Sequence, residues 1–303
     1  MLSKSIAITI VTPTFNRGYC IHKVFESLKN QTFKRFEWII VDDGSTDDTE
    51  NVAYKLISVA TFPIKYIKQE NGGKHSAVNR ALKIAIGELF LIFDSDDSCT
   101  SDSLEFMFEK WSELSCRHAN LAGITTLSMT QGGEIIGASF PHDGAVQFLY
   151  PFYEKYGING DKWDIHSTKI LRQFPFPEIE GQKFCPESIV WNRIGKKHKT
   201  AFFNKPTKIA IYLDDGLSKN LTYIKMKYPK ISIIYYKELY EISMSPQVKF
   251  KAATNFVRFS LHDHSLIEAF FKNSLFCLMG FFLGTVLFIK DIAEFLFLQN
   301  KNK

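Results

Sequence analysis

The sequence predicts an α/β protein with a mostly parallel sheet, helices on both faces of the sheet, and a helical C-terminal extension. Short apolar segments rich in β-branched residues alternate with segments whose apolar residues recur at helical spacing. This alternation is clearest over the first 100 residues, and beyond residue 216 the pattern predicts helices only. We therefore expect one domain over residues 1–215, divided near residue 100, and a helical region over residues 216–303.

Four strands are predicted in the first 100 residues, and each leads through a polar turn into a helix. The strands cover residues 6–12, 36–41, 64–68 and 89–93. We expect the second helix to be capped by Ser45 or Thr46, with two aspartates in its first turn. We expect the fourth helix to begin with a capping box formed by Asp102 and Glu105.

The pattern is weaker from residue 101 to residue 215. Residues 121–140 predict two strands around a turn at 131–133, and residues 141–185 predict mainly loops. A helix is expected to start at Pro186, and residues 208–212 predict a strand. Trp163 and Trp191 can stack on a ligand ring or pack in the core.

The charge is distributed unevenly along the chain. The net charge is +5 overall, but residues 1–180 carry −5 and residues 181–303 carry +10. A basic second half favours an anionic neighbour such as phosphate or a membrane surface, or forms a solvated lysine-rich face. No recognisable motif accompanies these lysines, so we do not expect a nucleic acid partner.

Five cysteines are scattered without a CxxC pair, and the N-terminal apolar run is too short for a signal peptide. This usage argues against a disulfide framework or a zinc site and favours a reducing compartment. We therefore expect a cytoplasmic protein.

Acidic residues follow the fourth strand directly. Asp94, Asp96 and Asp97 fall within four residues, and their carboxylates repel one another unless a positive charge offsets them. These residues supply too few ligands for a closed cage, which suits an open site for a divalent cation such as Mg²⁺, completed by a diphosphate. The alternative is an acidic turn that caps the next helix.

The other strand ends also carry polar groups, and parallel strands bring their carboxyl ends to one edge. Asp43 can accept the N–H of a pyrimidine ring, and Phe15 can lie against the ring face. Arg17 and Lys74 can contact phosphate. The alternatives are a polar turn at Asp43 and ordinary surface charges at Arg17 and Lys74.

Two segments carry a resemblance to a known family. They are "VTPTFNRGYCIHKVFESLKNQTFKRFEWIIVDDGSTDDT" and "NGGKHSAVNRALKIAIGELFLIFDSDD", which together cover about the first 100 residues. They resemble the family 2 glycosyltransferases, which have the GT-A fold. The resemblance weakens over residues 101–213 and nearly vanishes in the last 90. It implies a UDP- or related nucleotide-sugar donor, Mn²⁺ or Mg²⁺, and transfer with inversion at the anomeric carbon.

The resemblance also implies roles for individual residues at the donor site. Pro13 and Phe15 would line the base pocket, and Asp43 would pair with the uracil. Asp94 and Asp96 would form the DxD pair, while Asp96 and its neighbour Asp97 would divide ribose contact and metal ligation between them.

The family places a catalytic carboxylate at the start of a later helix, and Glu187 in "FCPESIVWNRI" occupies that place. The acidic pair expected there is incomplete, because a serine follows the glutamate. A carboxylate at a helix start is stabilised in its ionised form, as a general base needs. The alternative is an ordinary helix-start glutamate, and rival carboxylates are Asp164, Asp214 and Asp215.

The apolar C-terminal segment has an ambiguous role. Its core, residues 275–289, is shorter than the roughly 20 residues that a spanning helix needs. We expect either an interfacial helix that makes peripheral contact with the cytoplasmic face of a membrane, or a helix that packs in the core or in a homodimer.

Three functions remain open at this point. The first is an inverting glycosyltransferase that moves a sugar to a glycan or lipid-linked acceptor in surface polysaccharide synthesis. The second is a sugar nucleotidyltransferase, which usually has a glycine- and basic-rich loop where this chain has "PTFNRG". The third is a non-catalytic scaffold of similar fold.

Overall fold

The computed structural model of the chain describes residues 5–211, 221–267, 270 and 274–301. The chain divides into two compact units. The first, here called the sheet unit, comprises residues 1–176 and 190–214. The second, the helical unit, comprises residues 177–189 and 215–303. The predicted domains, 1–215 and 216–303, stay a prediction.

Among the described residues, nine strands form one sheet in the order β3-β2-β1-β4-β8-β6-β9-β5, with β7 paired to β9. The strands are β1 Ile8–Thr14, β2 Phe36–Asp42, β3 Ile64–Lys68, β4 Leu89–Ile92, β5 Ser98–Cys99, β6 Leu121–Met129, β7 Ala145–Phe148, β8 Lys162–Ser167 and β9 Lys199–Ile209. The four strands predicted for the first 100 residues are confirmed within two residues at each end.

These first four strands are parallel, so their carboxyl ends share one edge. In the register, Thr14 lies beside Asp42 and Asp42 beside Lys68, while β4 pairs with the other side of β1. All seven residues of β1 and of β2 are buried, as expected for a sheet covered on both faces. The predicted common edge for the polar strand ends is therefore confirmed.

The second half of the sheet differs from the prediction. The expectation of loops over 141–185 is wrong, because antiparallel β8 lies between β4 and β6 at the centre of the sheet. The expected second strand after the 131–133 turn is reduced to one bridge between Met129 and Ile135. The strand predicted at 208–212 is the end of β9, which begins at Lys199; residue 212 lies outside the described residues.

The helices are α1 His22–Lys29, α2 Thr49–Val59, α3 Lys74–Ile84, α4 Ser103–Ser115, α5 Leu149–Tyr156, α6 Thr168–Leu171, α7 Ser188–Gly195, α8 Leu221–Lys227, α9 Pro229–Ile242, α10 Pro246–His262 and α11 Ser274–Lys301. Both predicted caps are wrong. Helix α2 starts later, at Thr49, because Ser45 is engaged by the first loop instead. Asp102 does stand at the N-cap of α4, but it pairs with Lys205, and Glu105 accepts from the Thr32 hydroxyl.

In the helical unit, α10 and α11 pack closely. A Cβ atom on Gly280 would lie 2.3 Å from the carbonyl carbon of Ala253, and one on Gly284 would lie 2.6 Å from the carbonyl oxygen of Thr254. The two backbones therefore touch where α11 has no side chain. Near the end of this contact, the carboxylate of Asp291 on α11 is buried against α10.

Asp291 has two partners on α10. The Arg258 guanidinium donates to its carboxylate, at 2.6 Å for Nε, and the His262 ring nitrogen lies 2.9 Å away. Burial alone would raise the pKa of Asp291, but these two hydrogen-bonding partners outweigh it and lower the pKa. The ion pair therefore fixes the face that α11 turns towards α10.

Candidate active site

The acidic turn after β4 stands at the carboxyl edge of the sheet, beside the start of α3. The Asp97 N–H donates to the Asp94 carbonyl oxygen at 3.2 Å, which closes the turn. The ammonium of Lys74, the first residue of α3, lies 2.5 Å from the Asp94 carboxylate. The Asp94 side chain keeps 37% of its surface exposed, so this ion pair borders the open edge. Partial burial opposes ionisation of Asp94, yet Lys74 and Lys208 together lower its pKa.

Asp97 points into the protein and is held there. Its carboxylate lies 3.4 Å from the Lys208 ammonium and accepts the Ile211 N–H at 3.0 Å. Lys208 is buried on β9 and makes its shorter contact, 2.5 Å, with Asp161. Burial raises the pKa of Asp97 to about 7, because the lysine that would oppose this shift is shared with Asp161. Both oxygens of Asp97 are thus engaged by the protein.

Asp96 has a different environment. It is half-buried, and among the described residues no ion pair or hydrogen bond joins its carboxylate to another residue. Burial and the charge of Asp94 both raise the pKa of Asp96, which a cation nearby would reverse. Its carboxylate is therefore the member of the acidic turn that is free to meet a ligand.

The donor set suits a hard divalent cation held in an open site. In the part of the chain that the structure describes, no three His, Cys, Asp or Glu side chains converge on a metal position. A cation at Asp96 would therefore need phosphate oxygens or water for its other ligands, as Mg²⁺ and Mn²⁺ sites at diphosphates commonly have.

Asp43 organises the turn that leads to Lys74. Its carboxylate accepts the Gly72 and Gly73 N–H groups at 2.8 and 2.7 Å, and the Gln69 side-chain amide at 2.8 Å. A carboxylate offers about four acceptor positions, so one is left for a further donor such as a pyrimidine N–H. Gly73 has φ +92°, where an L side chain is strained, which explains the glycine at this position.

The loops after β1 and β2 are tied together through Asn16, which has φ +52°. Its N–H donates to the Ser45 hydroxyl and its side-chain oxygen accepts the Thr46 N–H, each at 2.8 Å. Next to Asn16, Phe15 is 46% exposed and Tyr19 is 56% exposed. Two aromatic rings thus stand open to solvent on this loop.

Two further residues predicted for the donor site, Arg17 and Pro13, differ in their surroundings. Arg17 is half-buried, donates from its guanidinium to the Tyr19 hydroxyl at 3.0 Å, and contributes positive charge at Asp96. Pro13 lies within β1 and is buried. The roles predicted for Pro13, Phe15, Arg17, Asp43 and Lys74 stay predictions.

Glu187 directly precedes α7 and is half-buried, so it stands one residue before the helix rather than in its first turn. It belongs to the helical unit, and its catalytic role stays a prediction. Of its rivals, Asp164 lies on β8 and accepts from the Thr125 hydroxyl of β6. Asp214 and Asp215 lie outside the described residues.

The two tryptophans have packing partners. The Trp163 indole N–H donates to the Ile92 carbonyl at 2.8 Å, and its ring packs against Phe93 in the core. Trp191 stacks on His166 with the ring centroids 4.0 Å apart. Burial lowers the pKa of His166 to about 3, so this imidazole is neutral at pH 7.

Lys208 and Asp161 are the site residues that sequence reasoning missed. Lys208 and its neighbour Thr207 are both buried, as the residues of β1 and β2 are, because the sheet is covered on both faces. The register between β6 and β9 shifts at three points. The sequence gives no specific signal, because β9 also carries Lys199 and Lys205 and nothing in the sequence distinguishes Lys208 from them.

Comparison with known proteins finds a family match in the first part of the chain. Residues 9–125 match the family described as glycosyl transferase family 2. A GalNAc(5)-diNAcBac-PP-undecaprenol beta-1,3-glucosyltransferase from Campylobacter jejuni is 26% identical over 282 residues, which cover 88% of this chain and 87% of that protein. Glycosyltransferase GlyA from Streptococcus pneumoniae is 35% identical over 103 residues, but these are 34% of this chain and only 15% of that protein.

Solved structures share the fold. Staphylococcus aureus TarS 1–349 in complex with UDP-GlcNAc has a TM-score of 0.59 at 21% identity, covering 84% of this chain and 72% of that one. The mannosyltransferase PcManGT from Pyrobaculum calidifontis, in complex with GDP-Man and Mn²⁺, has a TM-score of 0.56 at 14% identity and covers 97% of this chain and 81% of that one. With the sheet and its polar carboxyl edge, the match places residues 9–125 among the family 2 glycosyltransferases, and the chain has the GT-A fold.

Proposed function

We propose that this enzyme transfers a sugar from a UDP-sugar to a hydroxyl group of a lipid-linked glycan or a surface polysaccharide, with inversion at the anomeric carbon. The observation that carries the donor half of the proposal is the contrast within the acidic turn. Asp97 is engaged by Lys208 and Ile211, whereas the Asp96 carboxylate is available beside the Lys74–Asp94 ion pair.

This contrast supports a division of labour that the sequence alone left open. Asp96 holds the divalent cation, and Asp97 acts as an internal anchor of the turn. A bound Mn²⁺ or Mg²⁺ supplies positive charge next to the donor diphosphate. Lys74 and Arg17 supply further positive charge for the phosphates, since Lys74 lies at the N-terminus of α3, where anions are stabilised.

The base of the nucleotide lies in the space bounded by the first two loops. Phe15 presents an exposed ring on which a pyrimidine can stack. Asp43 accepts the ring N–H with the acceptor position left by Gln69 and the two glycine N–H groups. Support for uracil comes from the TarS complex, which was solved with UDP-GlcNAc.

Glu187 is the general base of the proposed reaction. It removes the proton from the acceptor hydroxyl while that oxygen attacks the anomeric carbon from the face opposite the leaving nucleotide. Its place directly before α7 supports this role, because the family resemblance puts the catalytic carboxylate at the start of this helix. Alignment of donor and acceptor supplies much of the remaining acceleration.

The acceptor assignment has separate support. The C. jejuni relative, which aligns along 88% of this chain, is named for a substrate linked to undecaprenol through PP. We therefore propose a lipid-linked acceptor, presented to a cytoplasmic enzyme at the membrane surface. The sugar and the linkage are left to experiment.

The first test is nucleotide binding. UDP, GDP, CMP and a set of UDP-sugars are titrated into the wild type and Asp96→Ala by calorimetry, with and without Mn²⁺. We expect UDP binding that requires the metal in the wild type and is lost in Asp96→Ala. The control is Glu113→Ala, a surface carboxylate on α4 that should behave as the wild type. Metal-dependent binding that survives in Asp96→Ala but is lost in Asp97→Ala would reverse the assignment of the two aspartates.

The second test separates binding from chemistry. Glu187→Gln should keep UDP-sugar binding and lose transfer, because the amide cannot accept the hydroxyl proton. The control is Glu180→Gln, which removes an exposed carboxylate from the same segment. Full transfer activity in Glu187→Gln would exclude Glu187 as the base and move attention to Asp164, Asp214 and Asp215.

A further inference from the structure

Helix α11 exposes an apolar stripe along its outer side. The stripe, here called the outer stripe, consists of Leu275, Leu278, Phe282, Val286 and Ile289, all exposed to solvent, with Phe282 at 83% and Leu275 at 78%. Their spacing of three and four residues places them on one side of a helix that turns about 100° per residue. Exposed apolar surface of this extent marks an interaction surface.

The opposite side of α11 is fixed to α10, so the outer stripe cannot simply turn inward. Gly280 and Gly284 bring the two backbones together, and Asp291 pairs with Arg258 and His262. These α11 residues lie about half a turn around the helix from the outer stripe. Two independent contacts thus hold the stripe outward.

We propose that α11 lies in the plane of an anionic bilayer, with the outer stripe among the lipid chains and α10 on the aqueous side. This inference goes beyond the sugar transfer proposed above. It rests on that proposed function only to explain what the enzyme gains from binding a membrane. Binding to lipid requires neither a donor nor an acceptor.

The positive charge of the C-terminal region favours a membrane over a second copy of the chain as the partner of the outer stripe. Residues 215–303 carry twelve Lys and Arg against seven Asp and Glu. On the helices of this unit, Lys225 stands close enough to Lys251 and Arg258 that burial and their repulsion lower its pKa. Two copies packed through α11 would bring together two segments of net charge +5, whereas anionic headgroups attract this charge.

The packing also favours an in-plane helix over a spanning one. The expectation that the apolar segment is too short to span is wrong on length, because the helical segment Leu275–Glu294 is long and apolar enough to cross a membrane, with a mean hydropathy of 2.0. However, α10 is packed along this segment and carries Lys249, Lys251 and Arg258. A span would either draw these charges into the hydrocarbon or strip α11 from α10 and leave Asp291 unpaired, and both are costly.

The test is co-sedimentation of the full-length protein with vesicles of neutral phosphatidylcholine or of phosphatidylcholine with phosphatidylglycerol. We expect binding that is stronger on the anionic vesicles and weakens with added salt. The double variant Leu278→Glu/Phe282→Glu should bind at least about tenfold more weakly, because two charged groups replace the buried apolar surface. Val59→Glu, an equally exposed apolar site in the sheet unit, should bind as the wild type.

Three results would overturn the proposal. The first is unchanged vesicle binding by a double variant whose thermal unfolding is like that of the wild type. The second is a wild-type dimer that binds no vesicles and that the double variant converts to monomers, which would assign the stripe to a second copy. The third is wild-type protein in cell membranes that resists extraction by alkaline carbonate, which would mean that α11 spans the bilayer.

UDP binding by the double variant separates this proposal from the proposed function. Loss of vesicle binding with intact metal-dependent UDP binding supports both. A wild type that binds vesicles but no nucleotide would keep the membrane proposal and remove the donor assignment.

Discussion

The sheet unit and the helical unit depart from the usual distribution of side chains in opposite ways. The sheet unit buries charge: Asp97 and Lys208 lie inside, close to the carboxyl edge of the sheet. The helical unit exposes apolar side chains along α11. Each departure costs free energy in water, so each marks a place where a ligand or surface is expected. The difference teaches that the buried charges beside the carboxyl edge point to the donor, whereas the exposed apolar side chains of α11 point to the environment in which the enzyme works.

The largest effect on stability is expected at the buried charge of the sheet unit. Lys208→Met should leave Asp97 and Asp161 without their shared cation, which destabilises the fold by about 3–5 kcal/mol. Urea unfolding measures this free energy. Lys205→Met is the matched control on the same strand, since its partner Asp102 is exposed and the loss should stay below about 1 kcal/mol. Equal losses in the two variants would show that burial of Lys208 adds nothing.

The second effect concerns the buried charge of the helical unit, Asp291. Because the folded state lowers its pKa, its contribution is complete above the unfolded pKa of about 4 and is lost as the pH falls through the folded pKa. Asp291→Asn should cost roughly 1–3 kcal/mol at pH 6 and flatten the loss of stability between pH 4 and pH 2.

Unfolding at a series of pH values checks this prediction for Asp291. Glu294→Gln removes an exposed carboxylate one turn away and should leave the pH profile unchanged. A profile for Asp291→Asn that runs parallel to that of the wild type would contradict the linkage.

The third effect tests the close approach of α10 and α11. In an ordinary helix, Gly→Ala stabilises by about 1 kcal/mol. Gly280→Ala should instead destabilise by about 1–3 kcal/mol, because its methyl group would lie 2.3 Å from the Ala253 carbonyl carbon. Leu278→Ala, on the exposed side, is the control. Stabilisation by Gly280→Ala in thermal and urea unfolding would mean that the helices separate readily in solution.

The smallest effect on the free energy of unfolding is expected from a substitution in the outer stripe. A small effect would sharpen the comparison, because it would show that the stripe is not needed for folding. Phe282→Glu should change the free energy of unfolding in vesicle-free buffer by no more than about 0.5 kcal/mol, because the side chain is exposed. A destabilisation above about 2 kcal/mol in urea would show that Phe282 is part of a packed core. Comparison of the variant's free energy of unfolding with its vesicle binding then shows whether the stripe serves folding or membrane binding.

How much could be predicted from the sequence also differs within the molecule. The first four strands follow from local pattern, because each is a buried β-branched run that ends in a polar turn. Strand β8 could not be predicted in the same way. Its buried residues are Trp163, Ile165 and the neutral His166 rather than a β-branched run, and pairing with β4 and β6 defines the strand. Pairing with residues that are distant in the sequence makes this segment a strand, and the periodicity of its own sequence does not reveal those partners.

The candidate site shows the same limit. The acidic turn was visible in "DSDD", but which aspartate remains available depends on Lys208, more than 100 residues further along the chain. The predicted capping box failed for a related reason, since Lys205 competes for Asp102. In both cases a lysine of β9 decided the outcome, and only the paired sheet brings that strand to the acidic residues.

The internal pairing of Asp97 with Lys208 has a practical consequence for handling the protein. Because a lysine already balances the buried part of the acidic turn, we expect the protein to fold without a bound cation. Treatment with a chelator should therefore yield an intact, inactive protein with an unchanged melting temperature. Such a preparation can be reloaded with Mn²⁺, Mg²⁺ or Co²⁺ in turn, so that metal preference is measured on one batch of enzyme without refolding.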